Sequence, residues 1–112
     1  MKPTTKRNFV TPDATMDAME KIKIDIVEID EMNLMRVTCE PGWIWSVHSK
    51  PVQKTELCEI DHLFYVIEGQ VGTRDKDGRE TVYGPGDLAQ IPPGHDGWTI
   101  GDEQVSWVEV PH

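Results

Sequence analysis

Tight-turn signals recur at short, regular intervals along the second half of the chain. Glycine-containing turn pairs or triplets, several with proline, stand at 68–69, 77–78, 84–86, 92–94 and 101–102. The segments between them are too short to be stable helices but have the length of strands. Short strands separated by turns at intervals of about 8 to 12 residues are typical of an all-β sandwich or barrel. The spacing therefore predicts an all-β fold.

Hydrophobic alternation supports this interpretation and predicts where the strands lie. Apolar residues occupy every second position over 22–26 and 35–39, which is the period of a strand with one buried face. The same period over 43–48 predicts a further strand, which Pro51 ends or bends. Residues 62–68 are apolar on both faces, and two-sided burial predicts a strand between the barrel interior and a second layer or partner.

The length of 112 residues predicts one folded domain. Residues 1–21 are polar, contain two prolines and show no convincing period, so we interpret them as an N-terminal arm. Residues 22–112 then form the β-barrel domain. No glycine-rich phosphate loop precedes a helical pattern, which argues against nucleotide-binding α/β folds.

Charge and hydropathy exclude several classes of partner. The chain has 11 Lys plus Arg against 20 Asp plus Glu, a net charge of -9, whereas nucleic-acid binding needs a concentrated cationic face. The longest apolar run, Leu63–Ile67, is far shorter than the roughly 20 residues of a membrane span. No apolar stretch follows the N-terminal charges, so we expect no signal peptide and a cytoplasmic protein. Cys39 and Cys58 are accordingly expected to be free thiols.

Three segments carry a recognisable pair of motifs. They are PGWIWSVHSKP at 41–51, HLFYVIEGQVG at 62–72 and YGPGDLAQIPPGHDGW at 83–98. With these segments the chain resembles the cupin superfamily, in particular its short single-domain members with a conserved barrel. The resemblance implies a small double-stranded β-helix, or jelly-roll, barrel. It also implies a metal site in the barrel, and the homodimers that are common among cupins.

The scaffold spacings of both cupin motifs are present. In the first motif, a glycine precedes His-x-His by five residues and a second glycine follows the glutamate position by six. Gly42 with His48, and His62 with Gly69, keep these intervals. In the second motif, Gly86 is followed by five residues and then by Pro-x-Gly at 92–94. The resemblance therefore covers about 70 residues, from Pro41 to Val110.

The metal-binding positions depart from the family pattern. Lys50 stands at the second histidine of His-x-His, and His62 stands at the glutamate position. The expected histidine and asparagine of the second motif fall on Gly97 and Gly101, with His95 two residues early. An alternative alignment puts Glu56, Cys58 and His62 at the His-x-His and glutamate positions and leaves His48 outside. Both alignments remain open from the sequence.

The candidate ligands are three histidines and one cysteine. His48, Cys58 and His62, completed by His95 or water, would make a tetrahedral nitrogen–sulfur site for a divalent metal ion, zinc or iron, and the same donors could also bind copper. Each residue has a simpler interpretation as well. His48 could be a partly exposed strand residue and His62 a hydrogen-bonded core histidine. Cys58 could be a small buried hydrophobe, His95 an exposed turn residue, and Glu56 a solvated carboxylate.

The sequence predicts a small-molecule site with two functional alternatives. Trp98, directly after the Pro-Pro-Gly turn, is the best candidate for lining a pocket mouth. One hypothesis is a cupin with a non-standard metal site that binds or acts on a small organic molecule. The alternative is a metal-free cupin that binds a small ligand without catalysis. A third possibility, based on exposed apolar strand faces and the N-terminal arm, is a structural or interaction protein. The two-sided apolar strand at 62–68 and the family resemblance also predict a homodimer.

Overall fold

The computed structural model describes residues 2–112, which form nine strands and two short helical segments. The strands are β1 (Ala14–Met16), β2 (Ile22–Ile29), β3 (Met32–Cys39), β4 (His62–Glu68), β5 (Gln70–Asp75), β6 (Glu80–Tyr83), β7 (Leu88–Ile91), β8 (His95–Ile100) and β9 (Val105–Glu109). A π-helical turn (Trp45–Ser49) and the helix α1 (Lys50–Gln53) lie between β3 and β4. In the described range neither is long and apolar enough to cross a membrane.

The strands form two sheets in which all neighbours are antiparallel. The larger sheet has the order β1-β2-β3-β9-β4-β7, and the smaller has the order β6-β5-β8. The last strand, β9, lies between β3 and β4, so the end of the barrel domain is central in the larger sheet. The predicted all-β jelly-roll fold is confirmed.

The core lies between the inner faces of the two sheets. In β4, Phe64 and Val66 are 2% and 0% exposed, whereas Tyr65 and Ile67 on the opposite face are 49% and 42% exposed. Further buried residues of the larger sheet include Val37, Cys39, Ala89, Ile91, Val105 and Trp107, and the smaller sheet adds Val71. One apolar face of β4 therefore packs inside the barrel. A homodimer partner covering the other face stays a prediction.

Residues 43–48 differ from the predicted strand. Only Ile44 keeps a β-bridge, to β8, and the chain then enters the π-helical turn. The backbone N–H and the hydroxyl of Ser46 both donate to the Asp96 carboxylate, at 3.0 and 2.8 Å. Such side-chain bonds give the backbone an alternative to a strand ladder. Pro51 follows in the first turn of α1, where its missing N–H costs nothing.

The segment interpreted as an arm contributes one strand to the larger sheet. β1 pairs with β2, with Thr15 opposite Asp25. The Arg7 guanidinium donates to Asp13 at 2.8 Å, and Asp13 accepts the backbone N–H of Glu28 at 2.7 Å. These contacts hold the segment along β2. The boundary between arm and barrel domain at residue 21 stays a prediction.

Replacing Gly69 by alanine should destabilise the barrel more than the same change at Gly78. Both glycines have a positive φ, +73° and +82°, which costs an L side chain about 1–2 kcal/mol. At Gly69 a Cβ would also lie 2.7 Å from the Val105 Cα and closer still to the Gln104 carbonyl oxygen, whereas at Gly78 it would meet nothing within 4 Å. We expect Gly69→Ala to lose about 2 kcal/mol more free energy of unfolding than Gly78→Ala, measured by urea denaturation. Equal losses would contradict the packing of this turn against β9.

Candidate metal centre

Three of the four candidate ligands meet at one end of the barrel. His62 is the first residue of β4, and His95 is the first residue of β8. Cys58 lies before β4 and forms an isolated β-bridge with His95, its backbone N–H donating to the His95 carbonyl at 2.8 Å. One ligand atom from each of the three residues lies within 4.8 Å of the other two. The bridge and the start of β4 thus bring two strands and a loop to one point.

A buried carboxylate orients His62. The Glu109 carboxylate accepts a hydrogen bond from Nδ1 of His62 at 2.7 Å and a second from the Trp107 indole at 3.0 Å. The side chains of His62 and Glu109 are only 15% and 11% exposed. With Nδ1 engaged, the ring turns Nε2 toward Cys58, whose Sγ lies 3.6 Å away. Glu109 therefore holds a proton on Nδ1 and sets the direction of the ring.

His95 is oriented in the same way by a backbone group. Its Nδ1 lies 2.9 Å from the Pro92 carbonyl oxygen, and because a carbonyl can only accept, Nδ1 carries the proton. The other ring nitrogen, Nε2, is then the one available to the cluster. The rings of His95 and His62 are 5.1 Å apart between centroids, at an angle of 61°. Both histidines thus keep one nitrogen for a ligand.

The cluster is charged although it is largely buried. Burial raises the pKa of the Cys58 thiol, but hydrogen bonds with His62 and His95 outweigh it and lower the pKa to about 6. Burial lowers the pKa of His62, but its bonds with Cys58 and Glu109 raise it to about 9. Burial raises the pKa of the Glu109 carboxyl, but the hydrogen bond and charge of His62 outweigh this effect and hold the pKa below its ordinary value. At neutral pH the cluster is a thiolate, an imidazolium and a carboxylate.

His48 and Glu56 lie outside this cluster. The π-helical turn folds the His48 ring back on its own backbone, where Nδ1 accepts the N–H of Ile44 at 3.0 Å. The Glu56 side chain is 94% exposed and pairs with Lys50 at 3.5 Å. The structure therefore brings Cys58 and His62 together and leaves His48 outside the cluster. Only the alternative alignment of the first motif puts both Cys58 and His62 at ligand positions.

Trp98 lies on the outer face of the smaller sheet. Side chains alternate along β8, so His95 and Gly97 face the interior, whereas Trp98 faces away from it. Its indole packs where a Cβ on Gly72 would be, and the Arg74 guanidinium lies 5.6 Å from the ring centroid. Trp98 is therefore not among the residues that line the interior cavity.

A small apolar cavity adjoins the three ligand atoms. Its volume is about 40 Å³, and its apolar walls include Trp43, Trp45, Phe64, Val71, Ile91 and Trp107. The ligand atoms therefore face a confined, mainly hydrophobic space.

Glu109 is the site residue that the sequence interpretation missed. It follows Val105 and Trp107 at alternate positions, so it lies on the inward face of β9 and is 8% exposed. A carboxylate on the buried face of a strand needs a partner. That alternation was the available signal, but it does not say which partner the folded chain supplies.

The Cys58 thiol should ionise well below the ordinary range in metal-free protein. We expect thiolate absorbance near 240 nm to rise with a midpoint near pH 6, against the ordinary value of 9.0. Burial, and to a smaller extent the nearby Glu109 charge, raises the pKa of Cys39. That thiol should therefore contribute no thiolate absorbance in this pH range. His62→Gln should move the midpoint upward by removing the imidazolium, and Cys58→Ser should abolish the signal. A wild-type midpoint near pH 9 would contradict this geometry.

Comparisons with known proteins bear on the family. A model of the cupin domain matches residues 58–111, from Cys58 through the end of β9. No curated protein matches the chain closely enough to serve as a relative. The family match therefore covers the segment that holds Cys58, His62, His95 and Glu109.

Solved structures share the fold at low sequence identity. A Rhizobium leguminosarum protein of unknown function is 17% identical, with a TM-score of 0.62 over 99% of this chain and 100% of that one. The polyketide cyclase RemF of Streptomyces resistomycificus is 19% identical, with a TM-score of 0.63 over 96% and 80%. A cupin-like protein of Thermotoga maritima is 14% identical, with a TM-score of 0.60 over 93% and 80%. The matched cupin-domain model and this shared barrel support the predicted membership of the cupin superfamily.

Proposed function

We propose that this cupin binds one divalent metal ion, zinc or iron, through Cys58, His62 and His95. The ion would bind Sγ of Cys58 and Nε2 of each histidine, and it would keep an open coordination position toward the cavity. There the protein binds or acts on a small organic molecule. The observation that carries the proposal is the convergence of these three ligand atoms within 4.8 Å.

The surroundings of the three residues suit a metal ion. In metal sites, a ligating histidine almost always donates its other ring N–H to a carboxylate or a carbonyl. Here Nδ1 of His62 donates to Glu109 and Nδ1 of His95 donates to the Pro92 carbonyl. A thiolate is the form of cysteine that binds metals, and the pKa of Cys58 is lowered to about 6. Metal binding would then release the proton on Nε2 of His62.

The ligand set favours zinc over the harder ions. A thiolate with two imidazoles is a soft set that suits zinc, whereas manganese and magnesium prefer oxygen ligands. Three protein ligands with a fourth position left open are the pattern of catalytic zinc sites. Bound there, the ion acts as a Lewis acid toward whatever occupies the open position. The three residues hold the ion, Glu109 orients His62, and the apolar walls restrict water.

One observation favours the metal-free alternative. The His62 imidazolium contacts both the Cys58 thiolate and the Glu109 carboxylate and compensates part of their negative charge without an ion. A cupin with such a site could hold a small ligand in the apolar cavity by shape and hydrogen bonding alone. The reaction class stays open under either proposal, because one fold serves many chemistries. The polyketide cyclase among the similar structures is one of these.

Elemental analysis of purified, untagged protein should find about one metal ion per chain. Cys58→Ser and His62→Ala should lose it, because each removes a ligand. Glu109→Gln should retain the ligands but weaken the affinity for zinc about 10- to 100-fold in a chelator competition, because Nδ1 of His62 loses its charged acceptor.

His48→Ala is the matched control for His62→Ala. It removes an imidazole that lies outside the cluster, so its metal content should equal that of the wild type. An equal loss in both variants would contradict the assignment of ligands. No metal in the wild type, even after reloading with zinc, iron and manganese, would leave the metal-free alternative.

A further inference from the structure

The indole N–H groups of the cavity walls are all engaged elsewhere. Trp43 donates to the Ser49 hydroxyl at 3.1 Å and Trp45 donates to the Gln53 side chain at 3.2 Å. The third indole, Trp107, donates to Glu109. A molecule in the cavity therefore meets carbon atoms of these rings and none of their hydrogen-bond donors.

Thr73 supplies the remaining polar side chain of the cavity wall. It lies in β5, faces the interior, and is 8% exposed. Within residues 2–112, the polar side chains that line the cavity are the three ligand residues, the three tryptophans and Thr73. The tryptophan N–H groups are already bonded, as described above. A molecule held at the ligand atoms thus has one side-chain hydroxyl to contact in an otherwise apolar space.

A hydrogen bond with Tyr83 orients the Thr73 hydroxyl. Its Oγ1 lies 3.0 Å from the phenolic oxygen of Tyr83 on the neighbouring strand β6. The Tyr83 ring packs against Phe64, with centroids 5.6 Å apart, so the phenol is itself held in place. A hydroxyl has one donor and two acceptor sites. When the Tyr83 phenol donates in that bond, Thr73 keeps its O–H for an acceptor in the cavity and one acceptor site for a donor.

We propose that Thr73, bonded to Tyr83, is the specificity-determining residue of the site. The ligand class is a small molecule with a Lewis-basic end for the metal ion and one hydrogen-bonding group for Thr73. Because the cavity is only about 40 Å³, the part of the molecule that enters it is small. This inference rests on the proposed metal site.

Azide binding to cobalt-loaded protein tests the role of Thr73. Azide has three atoms and accepts a hydrogen bond, and Co²⁺ at the zinc position reports ligand exchange in its visible spectrum. Thr73→Val and Thr73→Ala should each weaken azide binding about tenfold, as expected for one lost hydrogen bond to a charged ligand. Thr73→Ser keeps the hydroxyl and should stay within about threefold of the wild type.

Thr99→Val is the matched control. Thr99 is also 8% exposed and lies in the adjacent strand β8, but it does not line the cavity, and its Oγ1 has no partner among the described residues. Its azide affinity should equal that of the wild type. Unchanged affinity in both Thr73→Val and Thr73→Ala, with cobalt bound, would overturn the role of Thr73 alone. Wild-type protein that gives no thiolate-to-cobalt absorption band would overturn the metal site and this inference together.

Discussion

The hydrogen bond between His62 and Glu109 joins two neighbouring strands of the larger sheet, β4 and β9, inside an apolar barrel. Burying a carboxylate without a partner costs several kcal/mol of folding free energy. Because Glu109 lies on the buried face of β9, it needs a partner inside the barrel. His62 and the Trp107 indole supply its partners. The same bond directs Nε2 of His62 at the Cys58 sulfur. One carboxylate therefore links β9 to β4 and orients a ligand of the candidate metal centre.

The fold was predictable because its determinants are local. The turn signals and the period of two predict short antiparallel strands, and the inward face of β4 is confirmed by the burial of Phe64 and Val66. The failure over 43–48 has a non-local cause. Ser46 bonds to Asp96, which is fifty positions away in the chain, and no alternation within a segment can reveal such a partner.

The candidate site was only partly predictable for the same reason. The sequence supplied Cys58, His62 and His95 as candidates, but it could not separate them from His48. Parity arguments assume an extended strand, whereas the π-helical turn and α1 separate His48 from β4. Glu109 was missed because its pairing with His62 depends on β9 lying beside β4, across 47 positions of sequence. The cupin resemblance implies a carboxylate among the ligands, and here a carboxylate lies behind one histidine instead.

X-ray absorption at the zinc edge of zinc-loaded protein tests the central claim most directly, because it identifies the atoms bound to the ion. The proposed site predicts one sulfur at about 2.3 Å and nitrogen ligands at about 2.0–2.1 Å, with the outer-shell scattering of two imidazoles. A first shell of nitrogen and oxygen alone, with no sulfur, would contradict a metal site that includes Cys58.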